Sequence, residues 1–425
     1  MKKRTRNKLL AIVTAILLAA VMVVPGIGAL KTNAAGKKYT AVTLAQAIPL
    51  KKVLDMPIDT KVPSCGFIFT IEAGTAIPAD TGKFAVLPGL FTDDGAYPQI
   101  AKVAFTANED KDSPAVAGTT SSCTKPTAID FTGVEFSEPG VYRYVITEDT
   151  DAPTYSNVGV GNDEYIYRIL DIYVEDNNGS LAIAKTIMTK STTKTPEAPE
   201  HDGDYTAIKS DSFINKYPTN TLSISKTVTG NQGSKDEYFK FTIKLDETST
   251  VTIDDALLFP ITGLDNNNQG SVNTITENSA SKNKGYTVDI IDAANKVASI
   301  SGADLKAGYD VYLQHSDTVT LSGLVPGCKF TITEENGDYA VSTEIKKPKD
   351  DGSGDETVAD EDTQNDEIVK GTMDKTTKVA FTNDKDGIIP TGVILSIAPW
   401  AIAGVVILAG VVFFAIRSRK KYEEE

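Results

Sequence analysis

The chain has 425 residues and a formal net charge of −15, a balance that opposes binding to nucleic acid or to an anionic membrane and favours a soluble, self-repelling surface. Three Cys are too few for a disulfide framework, and the two His, His201 and His315, stand in no His-x-x-His or nucleophile–base setting, so a conventional hydrolase or zinc centre is excluded. No cofactor and no metal is expected.

The chain opens on a basic cluster, Lys2, Lys3, Arg4, Arg6 and Lys8, followed by an apolar run over residues 9–24 broken only by Thr14. Asn33-Ala34-Ala35 offers a cleavage point, and residues 1–35 read as a secretory signal peptide. The alternative is an uncleaved anchor, for which the run is about as short as a span can be. Without this leader and the final 34 residues, 356 residues remain, with a net charge near −22 and room for two or three domains.

The remaining sequence is rich in Thr, Val, Ile, Tyr and Phe in short alternating runs: Phe67 to Ile71, Tyr142 to Ile146, Tyr238 to Ile243, Phe330 to Thr333 and Lys378 to Thr382. Turn clusters such as Asp176-Asn177-Asn178-Gly179 separate them, which is an all-β pattern. Cys65 and Cys123 are candidates to pair in an oxidising compartment, against the alternative that all three thiols are free; Cys328 has no partner in its half. Asp265 to Thr276 resembles an EF-hand loop but carries Gln269 and Thr276 where ligands are needed, and reads as a polar turn. The acidic stretch from Lys346 to Asp374 has almost no apolar periodicity and reads as a mobile loop.

The sequence repeats. Leu50 to Leu54, Phe67 to Ile71, Pro139-Gly140-Val141-Tyr142 through Glu148, and Phe213-Ile214-Asn215 form one copy. Leu222 to Val228, Phe239 to Ile243, Pro326-Gly327-Cys328 through Glu334, and Phe381-Thr382-Asn383 form the second, with a seam near Tyr217-Pro218-Thr219. Strand side chains alternate between faces. By that parity Lys52 lies in phase with Ile48, Leu50 and Leu54, and Lys226 with Leu222, Ile224 and Val228. Glu148 follows Tyr142, Tyr144 and Ile146; Glu334 follows Phe330 and Ile332; Asn215 follows Phe213, and Asn383 follows Val379 and Phe381.

Each copy therefore sets a Lys, a Glu and an Asn among core residues. A buried Lys or Glu is costly unless paired or neutralised, and burial lowers a Lys pKa while raising that of a Glu. A neutral amine is a nucleophile, and a protonated Glu can polarise the Asn carboxamide and carry the proton. Attack by Lys on Asn with loss of ammonia would leave a neutral amide between the first and last strands. The bland reading is that these side chains lie at strand ends and snorkel to water.

At the C-terminus, Ile388-Ile389-Pro390-Thr391-Gly392 precedes 24 mostly apolar residues, 393–416, which as a helix would span about 36 Å and cross a bilayer. The cluster Arg417-Ser418-Arg419-Lys420-Lys421 would stay cytoplasmic. The constellation resembles the L-P-x-T-G sorting signal cut by sortases between Thr and Gly, with Thr391 and Gly392 matching, Ile388 and Ile389 replacing Leu and Pro, and Pro390 in the variable place.

Taken with these motifs, the sequence resembles the streptococcal-type backbone pilins built from isopeptide-linkage (FctA-like) domains. Pro139-Gly140-Val141-Tyr142 with Val145-Ile146-Thr147-Glu148, residues 222–230, Phe381-Thr382-Asn383 and the Pro-Thr-Gly signal with Ala398-Pro399 carry the resemblance. It implies two tandem immunoglobulin-like β-sandwiches of the CnaB type, residues 36–217 and 218–386, followed by the sorting segment 387–425. It implies Lys52–Asn215 and Lys226–Asn383 isopeptide bonds with Glu148 and Glu334 as their catalytic groups, and no other enzymatic activity. It further implies a pilin-specific or housekeeping sortase, other copies of the chain, minor pilins and peptidoglycan as partners, and a wall-anchored surface location after a transient membrane precursor. The inter-subunit acceptor would be a Lys a few residues before the first-domain Asn. Lys209 is nearest, with Lys190, Lys194 and Lys216 as alternatives, and Tyr217-Pro218-Thr219-Asn220 lacks the Lys of a Y-P-K-N motif. The competing expectation is a sortase-anchored monomeric adhesin that uses the same domains as a stalk.

Overall fold

The computed structural model describes residues 38–112, 119–150, 155, 157–206, 208–263, 298–361 and 366–387. The expected signal peptide, the polar turn at 265–276, the sorting motif at 388–392 and the apolar run at 393–416 lie outside the described residues. Among those described, no helix is long and apolar enough to cross a membrane.

The first half contains β1 (Ile48–Pro57), β2 (Cys65–Phe67), β3 (Phe69–Ala73), β4 (Val86–Pro88), β5 (Gln99–Ile100), β6 (Val103–Phe105), β7 (Thr120–Asp130), β8 (Gly140–Glu148), β9 (Tyr167–Asn177), β10 (Ser180–Ser191) and β11 (Ser212–Lys216). One sheet has the order β11-β1-β7-β5, the other β10-β9-β8-β3 with β4 alongside β8, and β2 pairs with β6. The second half contains β12 (Asn220–Thr229), β13 (Phe239–Asp246), β14 (Leu258–Thr262), β15 (Ala298–Ser301), the short helix α1 (Gly302–Ala307), β16 (Tyr309–Leu313), β17 (Thr318–Leu324), β18 (Lys329–Glu335), β19 (Ala340–Pro348), β20 (Asp355–Val358), β21 (Ile368–Thr372) and β22 (Thr377–Asp384). Its sheets run β15-β14-β17-β12-β22-β19-β20 and β16-β13-β18-β21.

Alternation explains the packing. Along β12, Leu222, Ile224, Lys226 and Val228 are buried, and along β1 so are Ile48, Leu50, Lys52 and Leu54. Aromatic pairs close the space between sheets: Phe69 lies 5.1 Å from Phe213, and Phe241 lies 5.1 Å from Phe381. The β9–β10 hairpin turns on Asn178 (φ 56°) and Gly179 (φ 97°), the positive-φ pair that a two-residue hairpin loop needs.

In each half the first and last strands are parallel neighbours, β1 with β11 and β12 with β22. The chain passes from β11 to β12 through Tyr217, which is fully buried. Its backbone N–H donates to Asp55 O at 2.7 Å, Thr60 and Thr219 share a hydroxyl contact of 2.6 Å, and Asn108 bridges to Ala256 O and Leu258 N.

Three expectations need correction. The stretch from Lys346 to Asp374 is not a bare loop: it contains the end of β19, then β20 and β21. Its charges point outward on edge strands while Ile345, Val369 and Met373 are buried, so few apolar residues suffice. The run from Phe67 to Ile71 is not one strand. It breaks at the exposed Ile68, and β2 and β3 join different sheets. The Cys65–Cys123 bridge is not formed. All three cysteines are free and buried. Cys65 is carried by β2 opposite Phe105 and Cys123 by β7 opposite Leu54, in separate sheets. Burial pushes the Cys65 and Cys328 thiols up to about 12 and Cys123 to about 11.

Candidate functional site

Two polar clusters lie inside the sandwiches, one in each half. In the first, β1 supplies Lys52, β8 supplies Glu148 and β11 supplies Asn215, at 0%, 1% and 0% exposure. Lys52 Nζ donates to Glu148 Oε2 at 2.8 Å and contacts Asn215 Oδ1, while Asn215 Nδ2 donates to Glu148 Oε1 at 2.6 Å. In the second, β12 supplies Lys226, β18 Glu334 and β22 Asn383, all buried. Lys226 Nζ contacts Glu334 Oε1, and Asn383 Nδ2 donates to the same oxygen at 2.9 Å. Glu334 Oε2 and Asn383 Oδ1 have no hydrogen-bond partner among the described residues.

Apolar walls surround both amines. Lys52 Nζ stands 4.1 Å from the Phe67 ring centroid, and Lys226 Nζ 4.1 Å from that of Phe239. Burial lowers the pKa of Lys52 and of Lys226 against the opposing pull of their glutamates. Burial raises that of Glu334, against Lys226. In the second set the two shifts together favour a neutral amine beside a protonated carboxyl over a zwitterion. The first set holds an amine, a carboxyl and a carboxamide in mutual contact, the second joins its lysine and asparagine through Glu334, and all six side chains picked out by parity are brought together as two groups of three.

Two further buried ion pairs are not picked out by the sequence reading, Arg143–Asp171 and Arg168–Asp163. Arg168 on β9 and Asp163 before it are 1% and 7% exposed, with Arg168 Nη2 donating to Asp163 Oδ2 at 2.7 Å. The available signal was the same parity: Arg168 lies in phase with the buried Leu170, Ile172 and Val174. Burial lowers its pKa, with Asp163 opposing.

Lys209 is exposed, and its segment bridges the edge of β10 opposite Thr189. Of the alternatives, Lys190 stacks 4.4 Å over Tyr165, Lys194 pairs with Glu72 at 2.8 Å, and Lys216 is exposed at the end of β11. Thr391, Gly392, Ile388, Ile389 and Pro390 lie outside the described residues. Among the described residues no group of His, Cys, Asp and Glu is placed to hold a metal ion.

These features define a tandem β-sandwich protein with one Lys–Glu–Asn set across the first and last strands of each domain. A family model described as the Spy0128-like isopeptide containing domain (FctA) matches residues 48–218, and one described as a domain of unknown function (DUF7601) matches residues 220–385. The first domain thus matches the FctA-type isopeptide family model, and the chain as a whole is similar to pilins. It is 23% identical over 356 residues to a protein named Pilin from Streptococcus pyogenes serotype M1, a match covering 83% of this chain and 85% of that one. Similar solved structures include the major pilin from Streptococcus pyogenes, at 19% identity, 81% and 100% coverage and a TM-score of 0.49. The major pilin protein (T-13) from serotype GAS131465 of that species is 20% identical, with 81% and 99% coverage and a TM-score of 0.46.

Proposed function

We propose that this chain is a structural subunit of a surface pilus, and that each domain closes its own Lys–Asn isopeptide bond. The observation that carries this is the repeated Lys–Glu–Asn contact between parallel first and last strands. The neutral Lys Nζ attacks the Asn Cγ, and the new C–N bond replaces the Cγ–Nδ2 bond. The glutamate passes the amine proton to the departing nitrogen, which leaves as ammonia, so atoms and protons balance without an oxidant or cofactor. Beyond this self-reaction the chain is not an enzyme.

The bond placement suits a load-bearing fibre. When a domain is pulled from its ends, force enters on the first strand and leaves on the last, and a covalent link between them takes the load off the ladder hydrogen bonds. The partners that follow are a sortase, further copies of this chain, minor pilins and, at the base, peptidoglycan. The sortase would cleave the Thr391–Gly392 amide and pass the Thr391 carbonyl to a Lys amine of the next subunit. Lys209 is the preferred acceptor because it is exposed and precedes Asn215, whereas Lys216, also exposed, follows it, and Lys190 and Lys194 are engaged with neighbours. A head-to-tail contact of this kind does not close, so it yields a fibre.

The test is a blot of boiled wall extract from cells that make the protein and its sortases. A ladder of multimers, with a branched peptide joining Thr391 to a Lys side chain, is expected. A ladder that persists in Lys209→Ala moves the acceptor to another lysine. A single monomer band contradicts the pilus and favours a monomeric adhesin.

A further inference from the structure

The two domains hold their reacting asparagines in different ways. In the second, β22 lies inside its sheet, with β12 on one side and β19 on the other, and Asn383 is paired in register with Val341 of β19. In the first, β11 is the last strand of its sheet and has only β1 beside it. A strand at a sheet edge has one row of unpaired backbone groups and is free to fray. Asn215 lies on that strand.

The outer edge of β11 is nevertheless occupied. Ile214 N–H donates to Asp163 Oδ2 at 2.7 Å, Ser212 O accepts from Arg168 Nε at 2.9 Å, and Lys216 O accepts from Gly161 N–H at 2.8 Å. The groups that make these contacts are themselves fixed. Asp163 also accepts from Tyr165 N–H at 2.8 Å and from Arg168, and the Arg168 guanidinium lies 4.2 Å over the ring of Phe213, two residues before Asn215. A planar guanidinium suits this double task of forked donation and stacking, and a lysine does not.

We propose that Asp163 and Arg168 are positioning residues for the first-domain bond: they take the place of the missing flanking strand and hold β11 so that Asn215 stays in reach of Lys52. This rests on the reading that the Lys52–Asn215 bond forms. Neither residue touches the reacting atoms. The second domain needs no such pair, because β19 supplies the backbone partners. Proximity explains why the effect on rate is large: a reacting group displaced by about 1 Å slows its reaction on the order of 100-fold.

The second domain is an internal reference in the same chain. Full-length protein is made by cell-free translation, quenched at intervals and digested, and the Lys52–Asn215 and Lys226–Asn383 branched peptides are quantified. Asp163→Asn keeps an acceptor for Ile214 but loses the charge, and Arg168→Met loses both donation and charge. Each should slow the first bond by about 10- to 100-fold while leaving the second unchanged, and Arg168→Lys should recover part of the rate lost in Arg168→Met. The same substitutions in a Glu148→Ala background, where no first bond forms, check that the first domain still melts cooperatively. If a variant fails that check, Arg168→Lys in the otherwise native chain decides by its ratio of first to second rate. An unchanged ratio in folded variants overturns the clamp. Absence of the first branched peptide from the native chain overturns the underlying reading instead.

Discussion

Lys52 and Asn215 stand two positions out of register on neighbouring parallel strands: Asn215 lies opposite Leu54, while Lys52 lies opposite Phe213. Lys226 and Asn383 repeat the offset, with Asn383 opposite Val228 and Lys226 opposite Phe381. A diagonal neighbour on the same face is farther than a direct one, and the long lysine stem makes up the difference. In the first domain the amine thereby reaches the carboxamide, and in both domains it meets a glutamate from the opposite sheet.

Removing the electrophile while keeping the Lys–Glu pair isolates the value of the link. A cross-link closing a loop of more than 100 residues is worth about 5 kcal/mol of unfolded-state chain entropy. For a domain of this size that corresponds to a loss of roughly 10–20 °C in Tm. Asn215→Ala should lower the melting of the first domain by that amount and leave the second unchanged, and Asn383→Ala should do the reverse. Differential scanning calorimetry reads both, and a native-like melt in either variant would contradict a covalent link in that domain.

The second bond should have a bell-shaped rate–pH profile. Its productive state carries one proton shared between Lys226 and Glu334. Burial lowers the lysine pKa, so neutral amine is present below the ordinary lysine range, and it raises the glutamate pKa, so the acid persists above the ordinary carboxylate range. Acid adds a second proton and stops attack; alkali removes the shared one and stops proton delivery. Quantifying the Lys226–Asn383 peptide after synthesis at a series of pH values tests this. A rate that keeps rising up to the free lysine pKa would show an amine that burial does not shift.

The aromatic wall should matter for the same reason. Phe239 lies 4.1 Å from Lys226 Nζ and packs edge-on against Tyr339. Phe239→Ala admits water and moves the amine pKa back up, so the second bond should form about tenfold more slowly at neutral pH for each unit restored. A less stable protein with an unchanged bonding rate would mean that the ring serves only packing.

Much of this site was legible in the sequence because strand parity is strict. Lys52, Glu148, Asn215, Lys226, Glu334 and Asn383 each fall in step with apolar residues, and the structure buries all six. Arg168 obeys the same parity with Leu170, Ile172 and Val174, yet its partner Asp163 lies in a loop with no period to read. What β11 leans on is a long-range fact: Asp163 and Ile214 are far apart in sequence and meet only in the fold. The charged strands β20 and β21 are hard to read because both are edge strands, which need few buried residues. The break at Ile68 was hidden because Phe67 and Phe69 are both buried, in different sheets.

The proposed sorting segment offers a spectroscopic test. Trp400 is the only Trp in the chain and follows Gly392. Cleavage between Thr391 and Gly392 discards it, so protein released from the wall should have no tryptophan emission and no peptide from residues 392–425. Recovery of Trp400 in that fraction would mean that the chain stays in the membrane uncleaved.

If both proposed bonds form without help, they leave a signature in the mass of the chain, and intact mass spectrometry of the purified protein under denaturing conditions reads it. The native chain should weigh less than its sequence by two ammonia molecules. Glu148→Ala and Glu334→Ala should each restore one, and the double variant both. A native chain at its full sequence mass, in protein that is folded and pure, would contradict self-formed bonds in either domain.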